Sequence, residues 1–392
     1  MSPSRRALYA RFQRGPIWRK AGPLLRSFDM ELTERCNNIC LHCCINKPEH
    51  DNVTARKEMT TEHCKDLIRQ AVDLGALTVR FTGGEPLIRK DFLDLYLFSR
   101  RSGLRVLLFT NARLITPELA DLFARTPPLE KIEITVYGLT KGTSESITQD
   151  PNAFEEQRRG IELLLNRNVP FIVKGALLPV NRHELSDFLS WAAMIPWMDS
   201  LPSFVMFLEL RTRRDAPDKN RQISGMRMSP KDGMAILAMK PDLYRKEMGD
   251  FCRRCLDQPS DSIFRCNAPS VICIDAYGHI QYCLALRHPA TILDSRRHSL
   301  DYALREHIPK LRKMRSVNPD YLTRCARCFL RGLCEQCPAK SWSEHGVLDQ
   351  PVEYWCQIAH EQARYLGLIS DTERAWEVGD WKSRLGRLDV GL

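Results

Sequence analysis

Ser27-Phe28-Asp29-Met30-Glu31-Leu32-Thr33-Glu34-Arg35-Cys36-Asn37-Asn38-Ile39-Cys40-Leu41-His42-Cys43 is the stretch on which the fold turns. Phe28, Met30 and Leu32 alternate along residues 27–32, the period of a strand. A loop with three closely spaced cysteines follows at once. Moving outward, Thr60 or Thr61 can cap a helix that carries Cys64, Leu67, Ile68 and Ala71 on one face, and Gly75 stops it. Residues 77–81 read as a second strand, and residues 91–102 as a helix ended by Gly103. Arg105–Thr110 is a third strand, and Thr116-Pro117-Glu118 opens the next helix, since proline suits the first helical turn. Residues 131–136 with a helix near 154–166, residues 171–178 with 184–194, and residues 203–210 with a helix after Ser229-Pro230 continue the rhythm.

Six strand–helix units in a row imply a parallel α/β sheet with right-handed crossovers, either an open doubly wound sheet or a barrel. In both, ligand sites gather beyond the carboxyl ends of the strands. The candidate chemistry falls there. The cysteine loop follows strand one, and Thr82-Gly83-Gly84-Glu85-Pro86 follows strand two. Thr110-Asn111 ends strand three, and Thr135-Val136-Tyr137-Gly138 ends strand four.

Cys36, Cys40 and Cys43 can converge on one inorganic centre. Three thiolates are one short of a closed tetrahedral zinc site or a four-cysteine iron–sulfur cluster, so the spacing suits a centre with an open position. A structural zinc knuckle would need a fourth ligand such as His50 or Cys44, and would leave the glycine-rich loop without a role. The cysteine spacing together with that loop resembles the radical S-adenosylmethionine (radical SAM) enzymes, and the resemblance runs from about Phe28 to Cys356. It implies a partial (β/α)6, TIM-like barrel. It also implies a [4Fe–4S] cluster on Cys36, Cys40 and Cys43, whose fourth iron is chelated by S-adenosylmethionine. Reductive cleavage of that cofactor would yield a 5′-deoxyadenosyl radical that abstracts a substrate hydrogen. By the same resemblance His42 packs near the adenine, and Gly83, Gly84, Glu85 and Pro86 receive the methionine amino group. Thr110, Asn111 and Thr135 match rim positions that contact ribose or carboxylate. Glycine suits such a rim because backbone can approach a ligand without a Cβ in the way.

The chain has 15 cysteines, five from Cys36 to Cys64 and ten from Cys252 onward, with none between. The late group includes Cys266, Gly278 and Cys283, then Cys325-x2-Cys328-x5-Cys334-x2-Cys337, and finally Cys356. This resembles the SPASM extension of radical SAM enzymes, with one departure: the quartet's last gap is two residues where three are expected. The resemblance implies two auxiliary [4Fe–4S] clusters, with Cys337 joining Cys266 and Cys283, and with Cys325, Cys328, Cys334 and Cys356 forming the outer one. Two such clusters need eight thiolates and the signature supplies seven. Cys255 is the favoured eighth, with Cys252, Cys273 or an open iron as alternatives. Spacing alone does not separate this arrangement from a zinc ribbon. Cys44, Cys64, Cys252 and Cys273 are expected to be packed thiols.

The 392 residues carry 58 Lys+Arg against 48 Asp+Glu, a formal charge of +10, with 43% hydrophobic and 27% charged residues. That composition excludes bulk disorder. The odd cysteine count and the absence of a signal-like apolar segment argue against a secreted disulfide scaffold and for a cytoplasmic protein. No apolar run reaches the ~20 residues of a membrane span, so no membrane association is expected. Basic residues crowd residues 296–331, but no recognition motif accompanies them, and nucleic acid is not expected as a partner. The expected organisation is a basic arm (1–26), a radical SAM partial barrel (27–245), a SPASM domain (246–365) and a C-terminal tail (366–392).

The expected function is oxidative modification of a ribosomally made peptide. Too few residues precede strand one for a leader-binding domain, so the precursor would come on a separate peptide-binding protein. The alternative is dehydrogenation of a small molecule, a sugar alcohol or a natural-product intermediate. Either needs a flavodoxin- or ferredoxin-type reductant. Tyr137, Lys174, Glu209, Arg211 and Arg213 lie on or just past predicted strands and are candidates to face the substrate.

Overall fold

The computed structural model describes residues 23–256, 258–266, 271–334 and 336–388. Most of the expected basic arm lies outside these residues. Six parallel strands run in chain order across one sheet: β1 (Ser27–Thr33), β2 (Thr78–Gly83), β3 (Arg105–Thr110), β4 (Leu129–Thr135), β5 (Phe171–Ala176) and β6 (Phe204–Val205). The sheet does not end at β1. β7 (Val271–Ile274) pairs parallel with β1, with Ser27 opposite Val271 and Met30 opposite Ile274. β8 (His279–Gln281) and β9 (Leu293–Asp294) then add antiparallel. The cysteine-rich C-terminal part therefore shares its sheet with the barrel.

The period-2 pattern sorts each strand into two faces. Phe28, Met30 and Leu32 are fully buried, in one core with Cys64, Leu67, Ile68 and Ala71 of α1 (Thr61–Asp73). Burying a side chain of this size contributes about 1.5–3 kcal/mol. The alternate residues line the inside of the barrel and are charged. Arg80 pairs with Asp29, and Lys174 Nζ lies 3.0 Å from Glu133. Both cations stack over the Phe109 ring between them.

The helices begin where their caps predict. The Thr60 side chain accepts the His63 N–H at the start of α1, and Thr116 accepts Leu119 N–H ahead of α3 (Pro117–Arg125). Between them lies α2 (Phe92–Arg101). Among the helices not foreseen is α4 (Lys141–Thr148), capped by Thr140 and closed by Gln149 at φ 59°. It precedes α5 (Ala153–Leu165) and α6 (Leu185–Ala192).

The sixth unit departs most from expectation. Only Phe204 and Val205 of residues 203–210 pair with β5. Beyond them the backbone leaves the edge, and Arg211 N–H is satisfied by Asn220 Oδ1 at 2.8 Å rather than by a strand. Asn220 lies on α7 (Pro217–Gly225), which is followed by α8 (Pro230–Leu237) and α9 (Pro241–Cys255). Near the C-terminus, α10 (Pro338–His345) and α11 (Glu353–Tyr365) support the last cysteines. Residues 366–388 are not a loose tail, since Leu368, Ile369 and Ala375 are buried in one cluster with Ala359 and Ala363 of α11.

Candidate active site

The cysteine loop is closed at its base and pinned along its length. Arg35–Cys36 pairs with Lys47–Pro48, which draws the two ends together. Ile39 N–H and Leu41 N–H donate to the carbonyls of Thr148 and Ile147, so the C-terminal end of α4 holds the middle of the loop. The Arg113 guanidinium reaches in from the turn after β3 and donates to Asn37 O and Asn38 Oδ1. Glu156, at 2.7 Å, and Asp150, at 3.2 Å, hold it from the other side.

Every one of the three sulfurs has a polar neighbour suited to a thiolate. Asn38 N–H points at Cys36 Sγ (3.4 Å), Asn46 N–H at Cys43 Sγ (3.4 Å), and Asn111 Nδ2 lies 3.9 Å from Cys36 Sγ. The Tyr137 hydroxyl bonds to the Cys40 thiol. Burial pushes Cys36 well up and Cys40 up to about 12. Proximity of Cys43 adds to both shifts. His42 stands edge-on to Tyr137, with ring centroids 4.9 Å apart. Burial lowers its pKa to about 4, and its Nδ1 has no partner among the described residues.

The glycine-rich loop is dictated by packing. A Cβ on Gly83, which has φ +121°, would sit 2.1 Å from Thr33 O, and one on Gly84 would sit 2.2 Å from Arg35 O. Gly84 and Glu85 N–H groups donate to those same two carbonyls. The glycines thus let β2 and its loop lie directly against the start of the cysteine loop. Glu85 is fully buried and wholly engaged by the protein. It accepts from Thr110 Oγ1 (2.9 Å), Leu87 N–H (3.1 Å) and Asn111 N–H (2.8 Å), while burial raises its pKa to about 7. Glu85 therefore ties the β2 and β3 rims together. Gln157 does the same for the next pair, donating to Asn111 O and Thr135 O at 2.8 Å each. Sequence reasoning missed Gln157 and Arg113. Their only signal was a polar residue on an otherwise apolar helix face and an arginine just past a rim motif.

Glu85, Arg113 and Gln157 stand behind the wall of one cavity of about 870 Å³, within the size range of small-molecule and cofactor sites. Cys36, Cys40 and Cys43 line it, with His42, Gly83, Gly84, Thr110, Asn111, Thr135, Tyr137, Lys174 and Glu209. Cys44 lines it too, rather than packing away like the fully buried Cys64, Cys252 and Cys273. Arg211 and Arg213, considered as substrate-facing, do structural work. Arg211 pairs with Asp215 at 2.8 Å. Arg213 joins Arg287, Glu31, Glu34 and Asp275 in a buried charge knot between β1 and the β7–β8 turn.

The late cysteines form two groups. Cys325, Cys328, Cys334 and Cys356 surround a small void of about 20 Å³, which His360 and Trp376 also line. Burial raises the thiols of all four, and nearness of the others adds to each except Cys356. Cys283 has Cys337 and then Cys266 as its charged neighbours, with burial again the larger cause of its upward shift to about 12. Cys255 is exposed at the end of α9, and its carbonyl lies against Gly332. Among the described residues no three His, Cys, Asp or Glu side chains are drawn together as the ligands of a single metal ion would be.

Residues 30–192 match the Radical SAM superfamily. They form a radical SAM domain. The four rim motifs and β2–β5 fall within these residues, β1 overlaps their start and β6 follows them. An AdoMet-dependent heme synthase of Methanosarcina barkeri is 28% identical over 189 residues, 48% of this chain and 52% of that protein. A PqqA peptide cyclase of Bradyrhizobium diazoefficiens is 29% identical over 160 residues, 41% of each chain. The chain thus spans about half the length of the curated relatives it matches. In three dimensions, Streptococcus suis SuiB bound to precursor peptide SuiA superposes with a TM-score of 0.59 at 15% identity, over 87% of this chain and 77% of that one. That likeness extends past the radical SAM domain, and the cysteine-rich C-terminal region fits a SPASM extension.

Proposed function

We propose that the protein carries out an oxidative modification of a ribosomally made peptide by radical SAM chemistry, in the cytoplasm. The observation that carries this reading is the single cavity that runs from the three-cysteine loop to Gly332, Leu333 and Trp355 of the C-terminal region. Cys36, Cys40 and Cys43 would hold the [4Fe–4S] cluster, since three sulfurs with N–H and O–H donors on them suit thiolate ligation at an open iron. With the cluster and S-adenosylmethionine bound, the family chemistry supplies a 5′-deoxyadenosyl radical that takes one hydrogen atom from the substrate.

The chain's own residues do the rest. Arg113, Gln157 and Glu85 fix the loop and the rims, and Gly83 and Gly84 let them close. Thr110, Asn111 and Thr135 offer polar groups at the cofactor end. Cys325, Cys328, Cys334 and Cys356 would hold an outer auxiliary cluster. Cys266, Cys283 and Cys337, with Cys255 as eighth ligand, would hold an inner one. Such clusters suit removal of an electron from the substrate, which makes the net change a two-electron oxidation or a cross-link. A flavodoxin- or ferredoxin-type protein would supply the initiating electron, and a separate protein would present the precursor. No described helix is long and apolar enough to cross a membrane.

A small-molecule dehydrogenation is the second reading. The similarity to an AdoMet-dependent heme synthase over the barrel favours it. The test is anaerobic reconstitution with iron and sulfide, followed by S-adenosylmethionine and a reductant. Formation of 5′-deoxyadenosine is expected, and its absence at full iron loading would refute both readings. A peptide that loses two hydrogens then separates the first reading from the second.

A further inference from the structure

The cavity changes character along its length. Near the cysteine loop its wall is polar, with Asn111, Thr135 and Lys174. The far wall is apolar apart from Gln362. Tyr244, Met248 and Phe251 recur along α9 at intervals of four and three residues, which places them on one face of the helix. All three line the cavity, joined by Leu237 of α8 and Trp355 of α11. One atom of this wall is out of character. The Tyr244 hydroxyl is enclosed and has no hydrogen-bond partner among the described residues, although Tyr244 is only 8% exposed. Its ring is held edge-on by Tyr365, with centroids 5.6 Å apart. Enclosed donors without partners are rare in native proteins. One on a cavity wall is what an acceptor on a ligand would satisfy.

We propose that the α9 wall is the side-chain pocket of the substrate: it receives a large apolar or aromatic residue of a peptide, and the Tyr244 hydroxyl donates to the backbone carbonyl oxygen of that residue. The proposal rests on the peptide reading above and narrows it to a class of residue. Leu237, Met248 and Phe251 offer no compensation to a charged side chain, which would lose its hydration on entering, and the cation on the Trp355 ring, Lys340, already faces Glu209.

The experiment uses the full-length, iron-reconstituted protein with S-adenosylmethionine. The probes are five acetylated and amidated Gly-Gly-X-Gly-Gly peptides with X as Leu, Phe, Tyr, Asp or Lys, titrated by ligand-observed NMR. The Leu, Phe and Tyr peptides should bind roughly ten-fold or more tightly than the Asp and Lys peptides. Tyr244→Phe keeps the shape and removes only the donor, so it should weaken the apolar peptides by roughly three- to ten-fold. Phe251→Asp should reverse the preference toward Lys. Equal binding of charged and apolar peptides, no binding by any of them, or unchanged affinities in Tyr244→Phe would overturn the proposal. Formation of 5′-deoxyadenosine by the wild-type protein is read in parallel anaerobic samples to which a reductant is added. Its absence counts against the radical reading itself, whereas its presence beside indiscriminate binding counts against the α9 pocket alone.

Discussion

The two best-defined cysteine groups are built on opposite plans. Cys36, Cys40 and Cys43 stand on a loop that borders a cavity of about 870 Å³. Little but polar contacts holds that loop: Arg113, Asn111, two carbonyls of α4 and the backbone of the glycine-rich turn. Cys325, Cys328, Cys334 and Cys356 face inward on a void of about 20 Å³. Polar groups reach these sulfurs too, with Gln336 N–H on Cys334 Sγ (3.2 Å) and Arg324 on Cys356 Sγ (3.7 Å), but apolar packing stands behind them: Phe329, Leu330 and Ala359 are buried around the group and Phe329 stacks on Trp381. An open site needs its ligands fixed from behind by hydrogen bonds, because the front must stay free for another molecule. A closed site can add apolar packing to its hydrogen bonds. The difference teaches that sulfur count alone does not define a centre; what holds the sulfurs decides whether one position stays available.

The sharpest way to break the open site is to remove its main support. Arg113→Ala should cost about 3–5 kcal/mol in urea unfolding, since it strands Glu156, Asp150 and two loop acceptors beside a buried gap. Iron loading should fall at the first site and stay unchanged at the C-terminal group. A smaller effect follows from the glycine turn. Gly84→Ala should cost about 1–3 kcal/mol by forcing the Arg35 carbonyl away. Gly142→Ala in α4 meets nothing within 4 Å and should instead stabilise by about 0.5–1 kcal/mol. Thermal melts of the two variants, compared side by side, check both signs.

The smallest effect concerns the charged layer beneath the cavity. Burial outweighs Glu133 and lowers the Lys174 pKa from 10.5 to about 8. Between pH 8 and 10.5 the unfolded chain therefore binds more protons than the folded one at this site, so its contribution to stability rises with pH in that window. Replacing the pair by Lys174→Met with Glu133→Leu should remove this rise. The difference between the wild-type and double-variant stability profiles, each taken from pH 7 to 10.5, measures it.

Much of this architecture was legible in the sequence. Period-2 strands and Thr-Pro or Ser-Pro caps are local signals, and five of the six barrel strands fall where they point. The rim motifs were also legible, because each follows a strand directly. What failed was non-local. Residues 203–210 are apolar enough for a full strand, yet beyond Val205 their side chains line the cavity while Asn220 takes over a backbone bond. The return of β7 to the edge of β1 cannot be read from either segment alone. The helix α4 has a weak apolar stripe, and only Thr140 hinted at it. Arg211 and Arg213 looked like substrate contacts because the acids that claim them, apart from Asp215, lie far away in the chain.

The contrast between an open and a closed cysteine group is tested most directly by iron content and cofactor cleavage in two multiple variants. Cys36→Ala, Cys40→Ala and Cys43→Ala combined should lose about four of roughly twelve irons, the expectation for three [4Fe–4S] clusters, and all 5′-deoxyadenosine formation. Alanine at Cys325, Cys328, Cys334 and Cys356 should also lose about four irons but keep measurable 5′-deoxyadenosine formation. Full iron retention in the first variant, or loss of cleavage only in the second, would contradict the account.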